Sequence, residues 1–252
     1  MSAVILNRLL RAPGEIAEDC REDRGLREIA VTSLLAVALG AAAFGGVIGS
    51  FRGGIQILYA GLKLPAALLL TLAICAPAFH ALAASLGRAF PMRSIIALAL
   101  ASAGRAALVL LALSPLVWIV LDRGISYHAA ALVCAVAYAV AGAAALGVIL
   151  RGLGEGAGRL VTALAFAGVF FAVTGQTGWI FRPYLVRPRT WSAAAGHMRD
   201  VPFLRAYEGS FADSLYLSSR SARGIYDVKD DTPARSSGSN SGSDSDRETE
   251  SR

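Results

Sequence analysis

Arg105 is the side chain from which chemistry is most readily argued, because it stands about ten residues inside an apolar run. A guanidinium at mid-membrane costs on the order of 3 kcal/mol by insertion scales. One reading is therefore a buried cation that binds an anionic headgroup, a substrate or a carbonyl. The other is that the run, 94–121, is longer than a span needs, so that a helix starting near Ala101 lets Arg105 snorkel to the interface. His80 is the one histidine well inside an apolar run, and it is expected to hydrogen-bond a neighbouring helix rather than to shuttle protons. Thr174, Gln176 and Thr177, between Gly175 and Gly178, make a polar patch near the end of the last run. That patch would face Arg105 or a water-filled vestibule, or simply satisfy helix contacts. Arg182 follows, with Pro183 and Tyr184, a trio suited to the headgroup zone. Arg105, His80, Thr174, Gln176 and Arg182 are the candidate ligand- or lipid-binding residues.

Other chemistries find no support in the sequence. From Ile29 to Leu121 there is no aspartate or glutamate, whereas proton- and cation-coupled transport generally needs a carboxylate in the membrane. His80, His128 and His197 show no metal-ligand spacing, and Cys20, Cys75 and Cys134 form no CxxC pair, so neither a zinc site nor a disulfide framework is expected. The stretch GLGEGAG at 152–158 lies between two apolar runs, where no strand can precede it as a dinucleotide fingerprint requires. Walker A, HExxH and paired catalytic carboxylates are missing. No cofactor, no metal and no enzymatic activity are expected. A basic stripe with interleaved aromatics, the mark of a nucleic-acid binder, is also missing.

The elements that must position these residues follow from hydropathy. The chain has 252 residues, 55% hydrophobic and 17% charged. In residues 29–181 the charged side chains are only Arg52, Lys63, Arg88, Arg93, Arg105, Asp122, Arg123, Arg151, Glu155 and Arg159. A water-soluble protein would lack a polar surface at that density. Crossing a bilayer by helix takes about 20 mostly apolar residues, each advancing about 1.5 Å through roughly 30 Å of hydrocarbon. Runs 29–51, 64–87, 94–121, 127–150 and 160–181 satisfy this. None alternates polar and apolar residues as barrel strands do. The fold class is an all-α membrane protein, a bundle of about five transmembrane helices with a disordered C-terminal tail. Short connections predict antiparallel neighbours in one bundle, and residues 52–63 are expected to lie in the interface.

The ends are polar. Residues 1–28 form an amphipathic, charged segment: Val4, Ile5, Leu6, Leu9 and Leu10 against Asn7, Arg8 and Arg11 predict a short helix lying on the membrane. Pro13-Gly14 ends it, and a second charged helix leads into the first span. The N-terminus lacks the long apolar core of a signal peptide. Residues 182–226 carry enough apolar side chains for an interfacial segment, and 227–252, rich in serine and charge, are expected to be disordered. Basic residues near the membrane favour a cytoplasmic N-terminus by nine to seven. Arginine outnumbers lysine 22 to 2, a balance typical of GC-rich bacterial coding, so the bacterial inner membrane is the expected location.

The order NRLLRAPGEIAED, a glycine-containing first span, and LKLPAALLLTLAICAPAF opening the second resembles the bacterial five-span membrane proteins of the Yip1-like kind. Lys63-Leu64-Pro65, Thr71, Cys75 and Pro77, then Arg182-Pro183-Tyr184, then Glu208-Gly209 with Phe211, are similar still more closely to a bacterial polytopic membrane family with no assigned activity. The resemblance covers roughly residues 5–226. It implies a five-helix bundle with a cytosolic N-terminus that acts through partners and lipids without a known reaction. The expected function is accordingly that of a non-enzymatic scaffold or partner-binding protein, in contact with membrane lipids and an unidentified protein partner, with self-association to a homo-oligomer also open. The alternative is a small transporter or channel subunit built on Arg105 and the Thr174–Thr177 patch.

Overall fold

The computed structural model describes residues 2–181 except 86, 88, 89, 126 and 157, together with Tyr184 and Leu185; the side chains of residues 128 and 179 are also outside this set. The described residues form helices and no strand. Two are short, α1 (Ala3–Arg11) and α2 (Pro13–Arg21). Five are long: α3 (Leu26–Ser50), α4 (Gln56–Ser85), α5 (Met92–Asp122), α6 (Tyr127–Gly152) and α7 (Arg159–Phe181). Each long helix has the length and apolar composition to cross a membrane. The chain is thus a multi-pass, all-helical membrane protein.

The chain turns where backbone chemistry permits it. Pro13 restricts Ala12, which leaves the helical region (φ −130, ψ 56), and its fixed φ then starts α2. Between α2 and α3, Asp23 and Gly25 both take left-handed dihedrals (φ 63 and φ 60), a conformation aspartate tolerates better than most residues. Gly53 and Gly54 (φ 78 and φ 65) turn the chain directly from α3 into α4.

That turn corrects the expectation for residues 52–63. Gln56 is already in α4, which runs through Pro65 and Pro77 to Ser85. The polar residues read as interfacial are tucked against α3. Gln56, Ala60, Lys63, Ala67, Thr71, Cys75, Phe79 and Ala83 form one buried stripe at three- to four-residue spacing, so Lys63 keeps a helical position facing the bundle.

Helix α5 is the most enclosed of the long helices, packing on α3, α4 and α6, and glycines set its approach to α3. A Cβ on Gly40 would stand 2.6 Å from the Ala107 carbonyl oxygen of α5, and one on Gly49 would stand 2.5 Å from the Gln56 carbonyl oxygen of α4. Such positions accept hydrogen alone, which lets backbones approach as closely as small-residue steps allow in membranes. Ascending numbers on α3 meet descending numbers on α4 (Gly45 with Ala60, Gly49 with Gln56) but ascending numbers on α5 (Ser33 with Gly104, Gly40 with Ala107). Successive helices do alternate in direction, as the short connections predict. Yet the most extensive shared face belongs to the parallel pair α3 and α5, and α4 meets α5 over much less. Helix α6 packs on α5, with Gly152 against Leu98. Helix α7 packs on α4, where Phe79 stacks on Phe166 with ring centres 4.8 Å apart.

The N-terminal helices depart most from expectation. Rather than extending over a lipid surface, α1 and α2 fold back on each other and onto α3, α5 and α6. Ile5, Leu9, Ile16, Ala17 and Cys20 are buried in one cluster with Ile29, Leu98, Ala101, Leu108 and Val148. The physical reason is the hairpin itself. Arg8 donates to Glu15 at 2.9 Å and to Asp19 at 2.6 Å, which turns the apolar faces of α1 and α2 to the same side. Val4 and Leu10 remain exposed on α1.

Candidate functional site

The hairpin covers one end of the bundle, and the charges of that end are arranged around it. Asp23, at the α2–α3 turn, accepts two hydrogen bonds from the Arg93 guanidinium at the start of α5. Arg24 reaches back to Asp19 and Glu22. The hydrogen bond that Arg8 donates to Asp19, more than any other influence, holds Arg8 protonated above its ordinary range. Burial, with the Asp19 charge adding to it, pushes the Cys20 thiol up to about 12, so this cysteine is a packing residue and no nucleophile. Between α2 and the bundle remains a void of about 10 Å³, lined by Cys20, Ser94, Leu98 and Phe166 among others, at the lower limit for one water. Beside Ser2 an open hollow of about 780 Å³ runs along the first turns of α3 from Gly25 to Thr32.

Arg105 belongs to this end. Its neighbour Gly104 faces Ser33, an added Cβ there lying 3.1 Å from the Ser33 Cβ. Ser33 is only seven residues into α3, roughly 10 Å along its axis. Arg105 is thirteen residues into α5, because the first turns of α5 project past α3 and are covered by α2. The third apolar run is thus longer than its neighbours on the hairpin side, and Arg105 stands near the end of the bundle rather than at its middle. It lies on the α5 stripe of Leu98, Ala101 and Leu108, which joins the hairpin cluster. Its Nη1 is shielded and, among the described residues, without a hydrogen-bond partner. Val148 of α6, three residues before Arg151, belongs to the same cluster.

The other candidates are elsewhere. Thr177 is buried, its hydroxyl 2.7 Å from that of Thr71 on α4, and it also donates within its own helix towards the Val173 and Thr174 carbonyls. This is a clasp between α4 and α7. The Thr174 hydroxyl is shielded and unpartnered among the described residues, and Gln176 is exposed. The patch therefore meets α4, while the Arg105 stripe meets the hairpin; the structure does not bring the two together. His80 stands beside the buried stripe of α4 with Nδ1 shielded and, again among the described residues, unpartnered. Arg182, and with it the segments 182–226 and 227–252 apart from Tyr184 and Leu185, lies outside the described residues.

Sequence reasoning missed Arg151 and Ser33. Arg151 reads as a loop residue at the end of a span, and only the antiparallel packing of α6 on α5 brings it to Arg105. Ser33, fully buried, has a hydroxyl with no partner among the described residues; nothing in its sequence neighbourhood distinguishes it from Ser50 or Ser102. No three histidine, cysteine, aspartate or glutamate side chains gather to hold a metal among the described residues.

Fold and site together define a multi-pass membrane protein with a charged N-terminal hairpin packed on one end of its bundle. Compared with known proteins, the chain matches no family model, no curated protein and no solved structure.

Proposed function

We propose that this is a non-enzymatic scaffold of the bacterial inner membrane, holding a protein partner at the face of its α1–α2 hairpin, with the N-terminus cytoplasmic. The observation that carries the reading is the hairpin, folded onto the bundle with its apolar residues inward. Its outer face, including Arg11, Glu18, Arg21, Glu22 and Arg24, is exposed. A charged, preformed surface at one end of a membrane bundle suits recognition of a soluble partner. The absence of any carboxylate from Ile29 to Leu121 leaves proton- or cation-coupled transport without its usual titratable group. Over the whole sequence, basic residues near the membrane favour the hairpin side by nine to seven, which supports the orientation. The Yip1-like resemblance, which implies action through partners and lipids, is part of the same proposal.

A small transporter using Arg105 and the Thr174–Thr177 patch has less to support it, since the patch clasps α4 and Arg105 lies under the hairpin. Reconstitution in liposomes separates the two. The scaffold reading expects no saturable solute flux, and a saturable flux abolished by Arg105→Leu would overturn it.

A further inference from the structure

At the hairpin end, basic side chains outnumber acidic ones among the described residues. Arg105 continues the α5 stripe of Leu98, Ala101 and Leu108, which packs with Val148 of α6, three residues before Arg151. Leu98 meets Gly152 where α5 and α6 cross; from there Arg105 is seven residues along α5, and the Arg151 side chain folds back along α6, its Nη1 donating to the Gly147 carbonyl at 3.2 Å. The two guanidinium groups thus come to the same level. The acidic side chains of the hairpin are engaged with other arginines: Glu15 and Asp19 with Arg8, Glu18 with Arg21, Asp19 and Glu22 with Arg24, and Asp23 with Arg93. Of four shielded polar atoms without a partner among the described residues, Arg105 Nη1 and Ser33 Oγ fall at this one level. Helix α2 meets the stem of the exposed Arg151 side chain, a Cβ on Gly14 lying 3.6 Å from its Cδ.

Two like charges in a partly desolvated place are unstable without a counter-ion. Arginine offers a planar fork of donors that matches a phosphate in a bidentate way. The depth, roughly 10 Å along α3 from its first residue, is that of a headgroup rather than of acyl chains. We propose that Arg105 and Arg151 together bind one phosphate group beneath the N-terminal hairpin, the ligand being an anionic phospholipid headgroup or a free phosphate of the adjoining aqueous phase. The proposal is independent of the scaffold reading, because it is read from bound lipid or phosphate and not from a bound protein.

The test uses the full-length chain. In nanodiscs of mixed phosphatidylglycerol and phosphatidylcholine, native mass spectrometry of the released protein is expected to show one phosphatidylglycerol retained per chain. Arg105→Gln and Arg151→Gln should each weaken retention about tenfold, the scale of one lost hydrogen bond to a charged group. Arg105→Lys should keep part of the retention, and Arg123→Gln, at the opposite end, all of it. In a lipid-free neutral detergent, a rise in Tm with inorganic phosphate that disappears in the same two Gln variants would assign the site to free phosphate. Equal retention of both lipids together with no phosphate effect would overturn the proposal. So would retention unchanged in both Gln variants. If Arg105→Gln does not fold, Arg151→Gln, at an exposed helix end, decides alone.

Discussion

At the scale of the residue, some polar side chains turn out to be packing or clasping groups once their neighbours are known. Cys20 is the clearest case, buried beneath the hairpin with its thiol pushed up to about 12 from a reference of 9.0. It should resist iodoacetamide at pH 8 in the folded protein and react at once after unfolding. Because its folded pKa is raised, the unfolded chain releases the proton first. The contribution of Cys20 to stability is therefore whole below about pH 9 and falls as pH rises towards 12, which unfolding titrations of the protein against Cys20→Ala would reveal. The Thr71–Thr177 pair makes a second test. Thr71→Val should cost about 0.6–1.7 kcal/mol, the range for hydrogen bonds between membrane helices, measured by unfolding in detergent, with Thr177→Val costing the same and the double variant little more. The sequence marked Thr177 as polar and near a helix end, but its partner on α4 is 106 residues away and was not legible.

Among the elements, the long helices were legible and their neighbours were not. Apolar length alone fixes α3, α6 and α7 to within a few residues, since nothing but a span accounts for such runs. It fails at the start of α4, where Gln56 and Lys63 look polar in sequence and are buried against α3. It also fails at α1 and α2, where amphipathicity requires an apolar surface but does not say whether lipid or protein supplies it. The Gly45–Gly49 step was visible, but small residues are too frequent in this chain to tell a contact from chance. Gly40→Ala should destabilise the bundle by about 1–3 kcal/mol, because its Cβ has no room before the Ala107 carbonyl. Gly168→Ala, with nothing within 4 Å of an added Cβ, should stay within about 0.5 kcal/mol. Thermal unfolding of the two variants side by side checks both. Ile16 is fully buried under the hairpin; Ile16→Asp should release α1 and α2, since an unpaired buried charge costs several kcal/mol. Limited trypsin digestion would then cut at Arg21 or Arg24 while α3–α7 stay intact.

For the whole molecule, the long helices form a bundle around the paired α3 and α5, and one end of it is closed by a hairpin with its ion pairs already made. That end carries the exposed hairpin charges and the proposed phosphate site of Arg105 and Arg151. The central claim is that the hairpin face holds a protein partner. It is tested most directly by extracting the protein from its native membrane with a mild polymer and identifying by mass spectrometry what accompanies it. We expect a stoichiometric protein partner that is lost from Ile16→Asp, in which the hairpin is undocked. A bundle that purifies alone, or a partner retained undiminished by Ile16→Asp, would contradict that claim.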